Sequence, residues 1–99
     1  MEASLTHEEF TKNANSKFQV QLDQHPPVDL ELTEISEIKR YPHQEQFSII
    51  LRGPLDIFLD QGTRFLTHDQ MGQFELFIVP LRQDEQGFYY EAIFNRVRE

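Results

Sequence analysis

FSIILRGPLDIFLDQG, residues 47–62, changes character in its middle, and that change decides the fold. Phe47-Ser48-Ile49-Ile50-Leu51 is apolar at all but one position, which predicts a strand that is central or covered on both sides. Arg52-Gly53-Pro54 stops it, because proline has no amide for a ladder and holds the residue before it extended. Leu55, Ile57, Phe58 and Leu59 then follow in a segment with neither helical nor strand periodicity. Gln61-Gly62 turns the chain into its next strand. An apolar segment too broken for regular structure predicts an open sheet end or edge that it folds back to cover. Two or three of its side chains plug inward, each contributing about 1.5–3 kcal/mol of burial. Because Ile57, Phe58 and Leu59 are consecutive, at least one points outward, and Phe58 between Asp56 and Asp60 makes an apolar anchor with a charged rim.

On the N-terminal side, Thr6 with Glu9 forms a capping-box signal, and Leu5 is placed to staple onto Phe10. Asn13, Asn15 and Ser16 stop the helix after about two turns. From Lys17 the period becomes two, with Phe18, Val20 and Leu22 inward. His25-Pro26-Pro27 is read as the end of that strand, and Val28, Leu30 and Leu32 alternate in the next one. The parity slips at Thr33-Glu34, where a bulge would restore the inward face. On the C-terminal side, Thr63 to His68 is a strand and Asp69-Gln70-Met71-Gly72 a turn. Phe74 to Val79 reads as a second two-sided strand ended by Pro80, and Arg82 to Gly87 as a polar turn. The last strand puts Phe88, Tyr90, Ala92 and Phe94 on one face.

No helical segment separates the strands, so parallel pairing is disfavoured. The pattern predicts a mainly β fold: an antiparallel six-stranded meander forming a small barrel or compact sandwich, with one short N-terminal helix. Residues 1–99 make a single β-rich domain, with the helix at about 6–14 and strands from about 17 to 97.

Seventeen acids against nine bases give a net charge of −8. Such a field disfavours direct binding to nucleic acid or anionic membranes, and favours solubility or a basic protein partner. There is no cysteine, hence no disulfide, thiolate metal site or cysteine nucleophile. The N-terminus carries acids where a signal peptide has bases, so the expected location is cytoplasmic, or exported within an assembly by another route.

Asp56 and Asp60 bracket apolar residues, the environment that tunes a carboxylate pair for acid–base work, but solvated loop acids are the simpler reading. Ser4, Ser16, Ser36 and Ser48 lack a nucleophile-elbow context. His7, His25, His43 and His68 lack metal-ligand spacing, and His68 reads as a hydrogen-bonding turn residue. The glycines are isolated, so no phosphate loop is indicated. No catalytic residue, metal ligand or cofactor is therefore expected. The interaction candidates are Leu55, Asp56, Ile57, Phe58, Leu59 and Asp60.

Arg52-Gly53-Pro54, Gln61-Gly62, His68, Leu76-Phe77-Ile78-Val79-Pro80 and Tyr90-Glu91-Ala92-Ile93-Phe94-Asn95 together resemble an uncharacterised bacterial family of roughly 100-residue β-rich domains, a domain of unknown function. Leu5 to Phe10 resembles the family's opening, and Arg64 stands where the resemblance implies an aromatic. The resemblance implies no activity; it implies an accessory product associated with tail-like or secreted assemblies. The expected function is a non-enzymatic protein–protein interaction or structural module, binding a protein partner or a second copy of itself. The alternatives are an acidic inhibitor of a basic, nucleic-acid-binding protein and, least favoured, a small hydrolase.

Overall fold

The computed structural model describes residues 5–97. One helix, α1 (His7–Lys12), precedes β1 (Lys17–Leu22), β2 (His25–Ile35), β3 (Lys39–Tyr41), β4 (Gln44–Gly53), β5 (Gly62–His68), β6 (Gly72–Asp84) and β7 (Gly87–Val97). Every pairing is antiparallel. The sheet runs β2-β1-β5-β6-β7-β4-β3, and a further β2–β4 pairing closes six of these strands into a barrel. The architecture is thus the barrel form of the mainly β fold, and β3 is an extra strand that pairs only with β4.

Around the barrel the order is β1-β2-β4-β7-β6-β5, so β4 and β5 lie opposite each other. The chain between them, residues 54–61, must cross from one wall to the other. This is the one step at which the strand order leaves a simple meander.

Alternation explains the interior. Phe18 and Val20 of β1, Leu30 and Leu32 of β2, Ile49 and Leu51 of β4, Leu66 of β5, Ile78 of β6 and Tyr90 of β7 are fully buried. The parity slip at Thr33-Glu34 is a bulge in the β2–β4 register between Leu32 and Glu34, and it returns Ile35 to the core. Helix α1 plugs one end of the barrel with Phe10, whose ring meets Phe18, Phe47, Phe74 and Phe94. Thr6 caps the helix by accepting the Glu9 amide at 3.1 Å. The helix covers 7–12, shorter than the expected 6–14, because the Asn13 side chain donates back to the Glu9 carbonyl and Asn15 turns left-handed at φ 65°.

Three expectations need correction. His25-Pro26-Pro27 begins β2 instead of ending β1: the chain reverses at Asp23-Gln24, and the prolines sit beside a register shift, where no ladder amide is required. Pro80 does not end its strand either. A bulge between Pro80 and Arg82 absorbs it, and β6 continues to Asp84, leaving Glu85-Gln86 as the hairpin loop. Phe74 to Val79 is one-sided: Phe74, Leu76 and Ile78 are buried while Phe77 is 53% exposed. By contrast, Phe47 to Leu51 is covered on both sides, partly by the segment after β2, where Ser36 and Ser48 exchange hydrogen bonds.

Candidate functional site: the lid over the barrel

Residues 54–61 form a lid over the barrel end opposite α1. Its inner side is anchored by Leu59, only 3% exposed, whose amide donates to the Tyr90 hydroxyl at 3.0 Å. Ile57 packs partly buried against the core. Its outer side carries Leu55 and Phe58, 47% and 51% exposed. Phe58 nevertheless rests edge-on against Phe88, with ring centroids 5.2 Å apart, and leans toward Tyr90. The broken periodicity thus resolves into inward Ile57 and Leu59 and outward Leu55 and Phe58.

Burial raises the Tyr90 hydroxyl above the usual phenol range, while the Leu59 amide and the nearby Arg64 charge oppose the shift. At the C-terminal end of the lid, Arg64 donates to the Asp60 carbonyl at 2.8 Å. Arg64, standing where the resemblance implies an aromatic, therefore acts as a tether for the lid. At the other end, Gly53 and Gly87 allow β4 and β7 to approach closely. A Cβ on Gly87 would collide with the Gly53 carbonyl, and one on Gly53 would lie 2.7 Å from Leu30.

Asp56 and Asp60 are both exposed, the setting of solvated loop acids. Asp56 and Ile57 line a groove of about 430 Å³ together with Arg52, whose guanidinium bridges Glu31 and Gln86 at 3.1 Å each. Arg52 thereby fixes the wall beside the lid.

A contact that sequence reasoning missed joins Ser16 and His68, 52 positions apart, with Oγ 2.8 Å from Nε2. Nδ1 of His68 accepts the amides of Gln70 and Met71 at 3.0 and 3.1 Å, so the proton of the neutral ring sits on Nε2. The imidazole then donates to Ser16, whose own hydroxyl donates to the Asn13 carbonyl. That polarity is opposite to a histidine activating a serine. Burial holds the His68 pKa below its ordinary value, with Asp69 opposing, which keeps the ring neutral. The turn role expected of His68 is what its hydrogen bonds describe. Among the described residues, no three His, Asp or Glu side chains gather as a metal site, and no helix is long and apolar enough to cross a membrane.

The sequence reading also missed the outer face of β5–β7, where Phe65, Phe77 and Ile93 are 44%, 53% and 53% exposed. Glu75 was the available signal, since Phe77 shares its parity in the strand and so shares its solvent face.

The chain belongs to the family described as "Domain of unknown function (DUF6916)", whose model matches residues 5–94. That span takes in α1, all of the barrel except the end of β7, and the whole lid. No curated protein and no solved structure matches the chain.

Proposed function

We propose that this domain is a non-enzymatic protein-interaction module, and that the outer side of the lid is its contact surface. The observation that carries this reading is the split of one short loop between the buried Leu59 anchor and the exposed Leu55 and Phe58. A loop fixed from inside presents its outer aromatic with little ordering cost on binding, which favours affinity. Asp56 and Asp60 give the apolar centre a charged rim.

The placement of charge supports a module over an acidic inhibitor. Carboxylates occur on α1, β2, β4, the lid, β6, β7 and several turns, at both ends of the barrel and around its wall. Several of those on the wall are paired, as in Glu31–Arg52, Glu34–Arg82 and Glu45–Arg40. A phosphate mimic needs one continuous acidic stripe. An accessory subunit of a larger assembly, the role implied by the family resemblance, is one setting in which such a module would act.

The test is affinity capture from the native host with wild type and Phe58→Asp, paired with light scattering of both at high micromolar concentration. The expected result is a partner or a homo-oligomer that the variant loses while keeping its unfolding midpoint. A wild type that is strictly monomeric and captures nothing, or a variant that unfolds outright, would make the loop a plug and nothing more.

A further inference from the structure

A second surface lies on the outer wall, on elements other than the lid. Phe77 of β6 faces outward with Thr63 as its register partner on β5, and Phe65 stands two residues along β5, opposite Glu75. On the other side, Val79–Glu91 is the end pair of the β6–β7 ladder, and Phe77 and Ile93 each stand two residues past it on their strands. Diagonal cross-strand neighbours are within reach of one another, so Phe65 and Phe77 adjoin across β5–β6, and the exposed Ile93 extends this apolar face as a stripe onto β7. Beyond Ile93 the stripe opens into a groove of about 190 Å³ walled by Phe47, Ser48, Glu91 and Lys39.

Glu75 and Glu91 flank this stripe, and neither is in an ion pair among the described residues. Elsewhere on the wall, Glu31, Glu34 and Glu45 are each matched by an arginine. What fits this face is apolar side chains on Phe65, Phe77 and Ile93, with cations beside them. Spacing narrows the choice further. Strands repeat every 4.7–4.9 Å or so across a sheet, close to the roughly 5.4 Å pitch of an α-helix. A helix laid across the strands brings about one apolar side chain per turn toward each strand, with its β5 contact displaced diagonally to Phe65.

We propose that the outer face of β5–β6–β7 docks a basic amphipathic helix of a partner protein, its apolar side chains on Phe65, Phe77 and Ile93 and its lysines or arginines against Glu75 and Glu91. A second copy of this chain does not fit the same surface. A self-complementary contact would bring both copies' Glu75 and Glu91 into one interface, in a protein with a net charge of −8.

The probe is a synthetic leucine–lysine amphipathic helical peptide, with its leucine–glutamate counterpart as control, titrated into isotope-labelled protein and followed by amide chemical shifts. The expected result is a cluster of shifts at Phe65, Glu75, Phe77, Glu91 and Ile93 with the lysine peptide alone. Phe77→Ser should weaken binding by roughly tenfold or more. Glu75→Gln with Glu91→Gln should weaken it and flatten its salt dependence, a readout that stands even if the Phe77 variant folds poorly. Phe58→Asp should leave this binding unchanged, which separates it from the lid. Shifts spread evenly over the acidic surface or confined to the lid, or full binding by the glutamine pair, would overturn the proposal. So would concentration-dependent broadening of the stripe without peptide, which would assign the face to a second copy.

Discussion

Tyr90 carries two loads at once. Its ring is fully buried in the barrel, and its hydroxyl accepts the otherwise enclosed Leu59 amide. Tyr90→Phe keeps the ring and orphans the amide, so the expected cost is about 1–3 kcal/mol, the penalty for an unsatisfied buried donor. Chemical denaturation measures it. A loss below about 0.5 kcal/mol would show that water reaches the Leu59 amide and that the latch is not needed. His68 is the other residue whose protonation state is structural. Its folded pKa lies below the ordinary value of 6.5, so below 6.5 the unfolded chain binds more protons than the folded one. This contribution is complete above pH 6.5 and is lost as pH falls from there toward the folded pKa. His68→Asn retains an acceptor for the Gln70 and Met71 amides but loses the Ser16 contact. It should be less stable than wild type by about 1 kcal/mol near neutrality, with the gap narrowing as pH falls below 6.5. A gap that stays constant or widens in acid would contradict the neutral, Nε2-protonated ring.

Within the lid, side chains of similar size should have very different effects on stability. Leu59→Ala removes a buried side chain and is expected to cost about 2–5 kcal/mol, whereas Leu55→Ala removes a half-exposed one and should cost about 0.5 kcal/mol or less. Thermal unfolding of the pair checks this, and equal losses would mean that the lid has no distinct inner and outer sides. The sequence made the lid legible because Gly53-Pro54 and Gln61-Gly62 bracket it and its apolar residues had to be accommodated somewhere. It did not reveal which wall the chain crosses to, since pairing β4 with β7 instead of β5 is a long-range choice with no local signature. The prolines misled for a related reason. Pro26, Pro27 and Pro80 each read as strand stops, yet all three sit where a register shift removes the need for their amides. Ser16 and His68 meet only because β1 and β5 are neighbours in the closed barrel, and nothing in their spacing announces it.

At the scale of the molecule, the ladders that close the barrel are unequal in length. β4 and β7 pair continuously from Gln44–Val97 to Gly53–Phe88, while β1 and β5 pair only at Gln19–Thr67 and Val20–Leu66. The α1 plug closes one end with Phe10 set among Phe18, Phe47, Phe74 and Phe94, and the lid closes the other with Leu59 and Ile57, held by hydrogen bonds to Tyr90 and Arg64. A rigid lid with an exposed outer side is the central claim, and amide hydrogen exchange in the wild-type protein tests it most directly. The account predicts that the Leu59 amide exchanges slowly, with protection approaching that of core amides such as Ile49 and Leu51. The amides of Asp56 and Phe58 should exchange rapidly in the same spectrum. Leu59 exchanging as fast as Phe58 would contradict the account, because the loop would then be free of the wall and could not hold its outer residues as a fixed surface.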